Sequence, residues 1–512
     1  MLIKVFGAAV QGIDATLITI EVNSSRGCMF YLVGLPDSAV KESHQRIISA
    51  LQVNGYRMPT SKIVINMAPA DIRKEGAAYD LPLAIGILAA SEVIQSDKLE
   101  RYLLMGELSL DGSLQPIKGA LPIAIKAREL GFEGMIVPQQ NAHEAAVVNN
   151  LKVYGAGNIK EVIEFFNGTQ ELTPTLVNTR EEFYSQQSNF DFDFAEVKGQ
   201  ENVKRALEVA ASGSHNILLI GSPGSGKSML AKRLPSILPP LSLGESLETT
   251  KIHSVAGKLG KDGGLISKRP FRAPHHTIST VAMTGGGSFP QPGEISLAHN
   301  GILYLDELPE YSRNVLEVLR QPLEDRKITV SRNRCNVEYP ASFMLVASMN
   351  PCPCGYYTHP TKACVCSPGQ VQKYLNRISG PLLDRIDLQI EVTPLPFEEM
   401  ADSRPGESSA TIRERVIRAR QIQEARYADI PGIYCNAQMN SKLLARHARP
   451  DDKGLAMLKT AMNRLNLSAR AYDRILKVSR TIADLEGCEL IQPAHLAEAI
   501  GYRNLDREGW AG

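Results

Sequence analysis

Hydrophobic and polar positions change pattern twice along the chain. Up to residue 168, alternating segments such as LITIEV and KIVINMA are interleaved with amphipathic stretches such as SAVKESHQRIISALQVN. Between residues 195 and 398, short apolar runs bounded by glycine or proline precede helical stretches, and residues 399–512 are almost entirely helical in pattern. Alternation of period two indicates half-buried strands, whereas short continuous apolar runs indicate strands buried on both faces of a parallel sheet. The pattern therefore predicts a multidomain α/β protein.

Three domains are predicted. An α/β domain over residues 1–168 and an α/β core over 195–398 precede a helical domain over 399–512. Residues 169–194 are polar, contain proline and follow neither period, so we expect them to form a linker. The length of 512 residues is consistent with several hydrophobic cores, since a domain usually holds about 100–200 residues.

The composition narrows the class of protein. Hydrophobic residues make up 43% of the chain and charged residues 22%, as in soluble globular proteins. No apolar run reaches the roughly 18–20 residues that a membrane span requires, and MLIKVFGAAVQGIDA does not have the pattern of a signal peptide. We therefore expect a cytoplasmic protein without a membrane partner. The formal net charge of +1 gives no overall attraction for nucleic acid, so DNA binding would depend on local patches or on the sum of several subunits.

A glycine-rich turn with the Walker A spacing lies between the apolar run NILLI and the helical stretch MLAKRL. In such a loop, backbone N–H groups converge on phosphate oxygens, the lysine (Lys227) reaches the β and γ phosphates and the serine (Ser228) ligates magnesium. A chance glycine-rich turn is the alternative, and the flanking strand and helix argue against it. The residues expected to bind ATP are Gly221, Ser222, Pro223, Gly224, Ser225, Gly226, Lys227 and Ser228.

Two carboxylates end the apolar run GILYLDE. This run is predicted to be a strand whose carboxyl end faces the glycine-rich turn in a doubly wound sheet. Asp306 would hold Mg²⁺ through water, and Glu307 would activate the water that attacks ATP. Paired acidic residues are common at strand ends, so the prediction depends on the Walker A motif upstream.

Two further polar residues follow predicted strands. The run ASFMLVASMN ends at Asn350, whose amide could lie beside the γ-phosphate and orient the lytic water, although a turn former before Pro351 is the alternative. Arg385 lies between Asp384 and Asp387, just before the last apolar run, LQIEV. A surface ion pair is the alternative to a catalytic role for this arginine.

Four of the eight cysteines crowd into one short segment, around the loop GYYTHPTKA. In a cytoplasmic protein, two close pairs favour a metal over disulfides, and four thiolates suit tetrahedral zinc. Such a site has no open position, so the metal would be structural. Redox chemistry and uncoordinated thiols are the alternatives, and His359 is a spare ligand in the loop. The expected zinc ligands are Cys352, Cys354, Cys364 and Cys366.

Four longer runs make a resemblance specific: FRAPHHTIS, GEISLAHNGILYLDELPE, LRQPLEDRKITVSR and MNPCPCG. They resemble the magnesium-chelatase-like AAA+ family of bacterial ComM (YifB) proteins, and the resemblance covers essentially the full chain. It implies a central AAA+ P-loop domain, with an insert before the Walker B strand at about 272–295 and a β-hairpin at about 325–342. Both would point into the pore of a ring. Residues 399–512 would form its helical lid.

The same resemblance implies roles for three polar residues. Asn350 would be sensor 1, and Arg385 would be an arginine finger that stabilises charge on the nucleotide of a neighbouring subunit. In LSARAYDR, Ser468 is a plausible helix N-cap, and Arg470 in the first turn would be sensor 2. Arg474 is a neighbouring candidate for that role.

The segment DRKITVSRNRCNVEYP is predicted to form two short strands about a polar turn at 331–334. Its cations, Lys327, Arg332 and Arg334, could grip a phosphate backbone without reading sequence. A solvated turn on an ordinary hairpin is the alternative.

Residues 1–168 resemble the Lon-type protease fold, without its catalytic dyad. The expected serine falls on Ala78 and the expected lysine on Leu121, while Lys118 comes three residues too early. Alanine and leucine can neither attack a carbonyl nor accept a proton, so we expect an inactive binding or assembly module.

The resemblance as a whole implies a ring-forming, hexameric, ATP-driven DNA helicase. Its partners would be single-stranded and branched DNA and recombination proteins, and it would promote branch migration when single strands are integrated during natural transformation. Two alternatives remain open: the ATPase subunit of a magnesium chelatase, against which the cysteine cluster and the Lon-like domain argue, and an ATP-dependent protein remodeller.

Overall fold

The protein is described here from a computed structural model. The structure describes residues 1–187, 189–260, 263–287, 290–332, 335–357, 359–395, 405–465 and 467–503. Contacts divide the chain into two compact units. The first comprises Met1–Gln186, Leu243–Ser267 and Pro290–Pro292, and the second Gln187–Ser242, Lys268–Phe289 and Gly293–Gly512.

A seven-stranded mixed sheet forms the centre of the first unit. Its order is Phe30–Val33, Lys62–Ala68, Asp14–Ser25, Leu2–Gln11, Tyr102–Leu104, Gly134–Pro138 and Lys152–Ala156. Ile63, Ile65 and Met67 are buried along KIVINMA while the residues between them are half-buried, as period-two alternation requires. The predicted alternating strands are therefore confirmed.

The first unit also contains helices. They are Ser38–Val53, Asp80–Ala90, Ala120–Glu129, Gln139–Ala146, Ile159–Asn167, Thr179–Gln186 and Leu243–Ala256, with 3-10 turns at Ala77–Tyr79 and Leu99–Arg101 and short strands at Glu107–Leu108 and Leu114–Gln115. Asp80–Ala90 is buried at every position because only Asp80 in it is charged. That carboxylate accepts hydrogen bonds of 2.7 and 2.9 Å from Arg46, so the buried charge is paired.

The compact units differ from the domain ranges predicted from sequence. The helix Leu243–Ala256 falls within the range expected for the ATPase core, but its contacts belong to the first unit. The stretch 169–194, expected to be a linker, contains the helix Thr179–Gln186. That helix buries a single side chain, Phe183, so it gives almost no periodic signal. The domain boundaries stay a prediction.

A five-stranded parallel sheet forms the centre of the second unit. Its order is Phe271–Arg272, Ile302–Leu305, Met344–Met349, Ile217–Ile220 and Leu388–Glu391. Every residue of Ile217–Ile220, Ile302–Leu305 and Met344–Met349 is buried, as expected for strands covered on both faces. The predicted α/β class with a parallel sheet is confirmed. Because the strands are parallel, their carboxyl ends share one edge of the sheet.

The remaining elements of the second unit are mostly helical. The helices are Glu201–Gly213, Lys227–Arg233, Thr280–Thr284, Glu294–Leu297, Arg313–Val318, Pro322–Asp325, Pro368–Leu375, Gly380–Leu383, Ser409–Arg426, Ser441–His447, Asp452–Leu465, Ala469–Leu485 and Pro493–Gly501. The 3-10 turns are Phe194–Glu196, Leu234–Ile237, Leu308–Glu310 and Asn436–Gln438, and Gly285–Gly286 and Gln291–Pro292 are short strands. C-terminal helices share one hydrophobic core with the sheet, through residues such as Val416, Ile475 and Val478.

An antiparallel hairpin joins Lys327–Arg332 to Cys335–Pro340. The strands extend closer to the turn than the sequence suggested, because Ser331 and Arg332 are paired in the ladder. Ile328, Val330 and Tyr339 are buried on one face of the hairpin. The side chain of Arg332 and the whole of Arg334 lie outside the described residues, so their predicted role is left as a prediction.

In the described parts of the chain, we find no helix that combines the length and the apolar character needed to cross a lipid bilayer.

Candidate functional site

The phosphate loop, residues 221–228, connects the strand Ile217–Ile220 to the helix that begins at Lys227. Gly224 and Gly226 have φ angles of +79° and +94°, a region that strongly favours glycine. Gly226 occupies the N-cap and no side chain caps the helix, so its first N–H groups are available to an anion. The sequence GSPGSGKS therefore folds into a loop suited to phosphate.

Lys227 connects the phosphate loop to Asn350. Its Nζ donates hydrogen bonds to the carbonyl oxygens of Gly221 at 2.7 Å and Ser222 at 3.0 Å, and to Asn350 Oδ1 at 3.3 Å. Burial lowers the pKa of Lys227, and the charges of Asp306 and Glu307 partly offset this effect. The amide predicted to lie beside the γ-phosphate thus lies beside the lysine predicted to bind it.

Asp306 lies at the centre of a network of hydroxyl groups. Ser228 Oγ donates a hydrogen bond of 2.9 Å to Asp306 Oδ2, and Ser348 Oγ donates to Asp306 Oδ1. Tyr304 OH lies 3.1 Å from Ser348 Oγ. Burial alone would raise the pKa of Asp306, but hydrogen bonds from Ser348, Ser228 and Tyr304 outweigh it and lower that pKa. The carboxylate is therefore held ionised, as a magnesium ligand must be.

The residues present fit a magnesium–triphosphate. Ser225 Oγ is buried and has no hydrogen-bond partner among the described residues, which is the state expected of a hydroxyl that awaits a phosphate oxygen. Ser228 and Asp306 supply oxygen ligands of the kind that Mg²⁺ prefers. The exposed Pro223 and Gly224 form the outer side of the loop.

Glu307 is held in a left-handed backbone conformation, with φ of +54°. This conformation is uncommon for a residue other than glycine and often marks a functional position. Its side chain is 56% exposed, and His276 Nδ1 lies 3.8 Å from its Oε2. An exposed carboxylate beside the magnesium position is suited to activating water.

Sequence reasoning missed Ser348 and His276 as members of this site. Ser348 is fully buried inside an apolar strand, so a polar residue interrupting ASFMLVASMN was the available signal. His276 belongs to the run FRAPHHTIS, which begins with the strand Phe271–Arg272. This strand is a neighbour of the strand that ends before Asp306. The proximity of His276 to Glu307 becomes evident only from the order of the strands in the sheet.

Arg385 is buried, and its guanidinium group donates hydrogen bonds to residues of the same chain. Its Nη2 donates a hydrogen bond to Glu324, and its Nη1 donates to the Pro381 carbonyl oxygen at 2.7 Å. Within the described residues, no hydrogen bond or ion pair joins it to the phosphate loop or to Asp306. A role in the site of another subunit therefore stays a prediction.

The two sensor 2 candidates differ in their environments. Ser468 caps the helix Ala469–Leu485, as predicted. Arg470 in the first turn is 62% exposed and donates a 3.1 Å hydrogen bond to Asp384, whereas Arg474 is 22% exposed and donates at 2.9 Å to Asp387. Burial would raise the pKa of Asp387, but the charge of Arg474 and the contact with His215 hold it far below its usual range.

The four cysteines of the cysteine loop, residues 352–366, converge. Sγ–Sγ distances are 3.3 Å between Cys352 and Cys354, 3.7 Å between Cys352 and Cys364, and 3.5 Å between Cys354 and Cys364. All four sulfurs, including that of Cys366, lie within 4.8 Å of one another. A disulfide would require about 2.05 Å. Tetrahedral zinc with Zn–S bonds of about 2.3 Å places its sulfurs about 3.8 Å apart, so the arrangement fits such an ion. His359 is a turn residue whose Nδ1 accepts hydrogen bonds from loop N–H groups.

Lys327 on the hairpin is already paired. Its Nζ lies 3.0 Å from both carboxylate oxygens of Glu338 on the opposite strand, and both side chains are more than half exposed. An exposed pair of this kind contributes little stability and exchanges readily for other charged partners.

The first unit contains neither member of the Ser–Lys dyad at the expected positions. Ala78 lies in the 3-10 turn before Asp80–Ala90. Leu121 is buried in the helix Ala120–Glu129, where its N–H donates to Glu144 at 3.0 Å. Lys118 is exposed.

Three family models match the chain. The model described as magnesium chelatase, subunit ChlI, matches residues 193–400. The model described as subunit ChlI of Mg-chelatase matches residues 20–141, and the model of the ChlI C-terminal region matches residues 406–503. Together they cover parts of all three predicted domains.

Similar proteins cover almost the whole chain. The competence protein ComM of Haemophilus influenzae is 45% identical over 98% of this chain and 97% of its own length. The protein YifB of Escherichia coli is 44% identical over 98% of this chain and 96% of its own length. The magnesium-chelatase 38 kDa subunit of Rhodobacter capsulatus is 26% identical over 31% of this chain and 50% of its own length. The chain therefore belongs to the magnesium-chelatase-like AAA+ family of ComM and YifB proteins.

Proposed function

We propose that the protein hydrolyses ATP in a ring of identical subunits, most simply a hexamer, and uses the energy to move along single-stranded and branched DNA. The observation that carries the ATPase part is the hydrogen bond from Ser228 to Asp306, together with that from Lys227 to Asn350. These contacts bring the residues of three separate motifs to one edge of a parallel sheet, where nucleotides bind in such folds.

The residues divide the chemistry of hydrolysis among them. Lys227 and the N–H groups of the phosphate loop would bind the β and γ phosphates, and Ser228 and Asp306 would hold Mg²⁺, which neutralises phosphate charge. Glu307 would take a proton from water as its oxygen attacks the γ-phosphorus and the bond to the bridging oxygen breaks. Asn350 would orient that water. Arg385 of a neighbouring subunit and Arg470 would stabilise the charge that develops.

The DNA part is supported by the relationship to the competence protein ComM and by the hairpin. Branch migration during the integration of single strands in natural transformation would use such a translocase, together with recombination proteins. Lys327 could exchange Glu338 for a backbone phosphate, and Arg332 and Arg334 are candidates for further contacts. A magnesium chelatase subunit is a weaker candidate, because that relative matches about a third of this chain.

The finer features of the two units also belong to this proposal. The first unit would have a Lon-protease-like fold that serves as an inactive binding or assembly module. The second would combine an AAA+ core, with its pore insert and hairpin, and a helical lid. The cysteine loop would hold a structural zinc ion.

The decisive experiment measures ATP hydrolysis by the full chain with and without single-stranded or branched DNA, and strand displacement on a branched substrate. Lys227→Ala should abolish ATP binding, and Glu307→Gln should keep binding but lose hydrolysis by a factor of about 10² or more. Lys459→Ala, on an exposed helix position, is the matched control for the lysine variant. If DNA neither stimulates hydrolysis nor binds in the presence of ATP, the translocase proposal fails. Porphyrin metal insertion would favour the chelatase instead.

A further inference from the structure

The cysteine loop packs directly against the phosphate loop. Gly355 is buried, and a Cβ atom placed on it would lie 2.5 Å from Cδ and 2.7 Å from Cγ of Pro223. Real Cβ atoms do not approach other atoms so closely, so glycine is needed at this contact. Its φ of +84° requires glycine independently. Through Pro223, the position of Gly355 restricts the outer side of the phosphate loop.

The conformation of Gly355 is in turn linked to the thiol cluster. Its N–H donates a 2.9 Å hydrogen bond to the carbonyl oxygen of Cys352, which closes a tight turn. The N–H of Tyr357 donates to Cys352 Sγ at 3.3 Å. The turn that presents Gly355 to Pro223 therefore wraps around the sulfur of Cys352, and its backbone is held by the same residues that would bind a metal.

A second connection runs through the chain itself. Asn350, whose Oδ1 accepts a hydrogen bond from Lys227, precedes Cys352 by one proline. Gly221 and Ser222 of the phosphate loop also line a cleft with Pro351 and Tyr357 of the neighbouring segment. The phosphate loop thus meets the segment 350–357 at the lysine, at Pro223 and along this cleft.

We propose that a metal ion bound by the four cysteines controls nucleotide affinity, because it holds Gly355 and Asn350 in the positions that shape the phosphate loop. This inference rests on the proposed ATPase function. It assigns to the metal a regulatory effect on ATP binding, in addition to stiffening its own loop. Loss of the metal would release the turn at Gly355, and the phosphate loop would lose its packing partner.

The first test separates metal binding from its effect on nucleotide. Gly355→Ala would retain four thiolates but would place a methyl group against Pro223. We expect this variant to bind Co²⁺ or Zn²⁺ at one ion per chain, with the Co²⁺ absorption of a tetrathiolate site, and to bind a fluorescent ATP analogue about tenfold more weakly. Gly432→Ala is the matched control, because its φ of +79° imposes a similar backbone strain and no atom lies within 4 Å of a Cβ at that position. Unchanged ATP affinity in Gly355→Ala would overturn the proposal.

A double-mutant cycle locates the effect in the contact. In a Pro223→Ala background, the ring that Gly355→Ala would strike is absent, so the same substitution should weaken ATP binding by a smaller factor. An equal factor in both backgrounds would contradict transmission through Pro223. Thermal unfolding of each variant shows whether the fold is intact.

Removal of the metal is the complementary test. The double variant Cys354→Ser, Cys366→Ser should lose Co²⁺ binding and lose ATP affinity by at least the factor seen in Gly355→Ala. If the wild-type chain hydrolyses ATP but binds neither Zn²⁺ nor Co²⁺, the inference fails while the ATPase proposal stands. If the wild-type chain binds metal but does not bind ATP, the ATPase proposal fails, and the inference fails with it.

Discussion

Ser228 Oγ and Asp306 Oδ2 are joined by a hydrogen bond of 2.9 Å, although 78 residues separate them in the chain. Ser228 is the second residue of the helix that begins at Lys227, and Asp306 directly follows the strand Ile302–Leu305. Their contact defines the position at which Mg²⁺ would be held. The same carboxylate also accepts a hydrogen bond from Ser348, so changes at this buried serine test how the position is built.

Replacing Ser348 with alanine should weaken both the fold and the magnesium site. The side chain is fully buried and makes hydrogen bonds with both Asp306 and Tyr304, so its removal takes one buried hydrogen bond from each of them. We expect a loss of about 1–3 kcal/mol in the free energy of unfolding, measured in urea, and a higher Mg²⁺ concentration for half-maximal ATP hydrolysis. Thr460→Ala, at an exposed hydroxyl, should change neither quantity.

The same variant should alter the pH dependence of activity. Hydrogen bonds to the ionised carboxylate lower the pKa of Asp306, so the removal of one of them raises it. A protonated Asp306 cannot hold Mg²⁺, and the acid limb of the pH–rate profile should therefore move to higher pH in Ser348→Ala. The contribution of the ionised group to stability is present above its unfolded pKa and is lost as pH falls. An acid limb at the wild-type position would show that Asp306 titration does not limit the rate.

Substitutions of Arg470 and Arg474 should distinguish a residue that acts in ATP hydrolysis from a residue that stabilises the fold. Arg474→Met leaves the buried Asp387 without its cation, and we expect a cost of about 3–5 kcal/mol in the free energy of unfolding. Arg470→Met removes an exposed pair, which is worth about 0–1 kcal/mol, but should reduce ATP hydrolysis if Arg470 is sensor 2. Denaturant unfolding and turnover, measured on both variants, assign the roles. A stable Arg474→Met without activity would reverse the assignment.

Arg385 should act in the site of a neighbouring subunit. Arg385→Ala is expected to bind ATP but to lose hydrolysis by a factor of about 10³, as for other arginine fingers. Mixing it with Glu307→Gln subunits forms interfaces that contain an intact arginine and an intact glutamate, so activity should reappear. Arg320→Ala, which removes an arginine paired with Glu317, is the control. Mixtures that show only the sum of the two separate activities would place Arg385 outside the reaction.

Motifs with local geometry could be predicted from the sequence, and contacts across the sheet could not. The phosphate loop, the strands around it and the N-cap at Ser468 follow from short-range patterns of glycine, apolar runs and a capping serine. The proximity of His276 to Glu307 depends on which strands are neighbours, which no local pattern specifies.

Pairing also could not be predicted from residue type alone. Lys327 was proposed for its charge and Arg385 through the family resemblance. Lys327 pairs with Glu338 on the opposite strand of the hairpin, and Arg385 pairs with Glu324, which lies 61 residues upstream. A phosphate could replace either carboxylate as the partner of the cation. The free energy of this replacement depends on how deeply the cation is buried. The exchange costs little for the exposed Lys327 and more for the buried Arg385.

The helix Leu243–Ala256 limits how the protein can be divided. Ser254 on this helix donates a hydrogen bond to the buried carboxylate of Glu144, its carbonyl oxygen accepts one from Gly119, and Lys251 pairs with Asp14. A fragment that ends at Gln186 would leave Glu144 without this partner and expose the surface that the helix covers. A fragment that begins after Gln186 would carry the helix without Asp14 and Glu144, which it contacts. Because segments of the first unit lie on both sides of Gln187–Ser242, no single cut in the gene separates the two units.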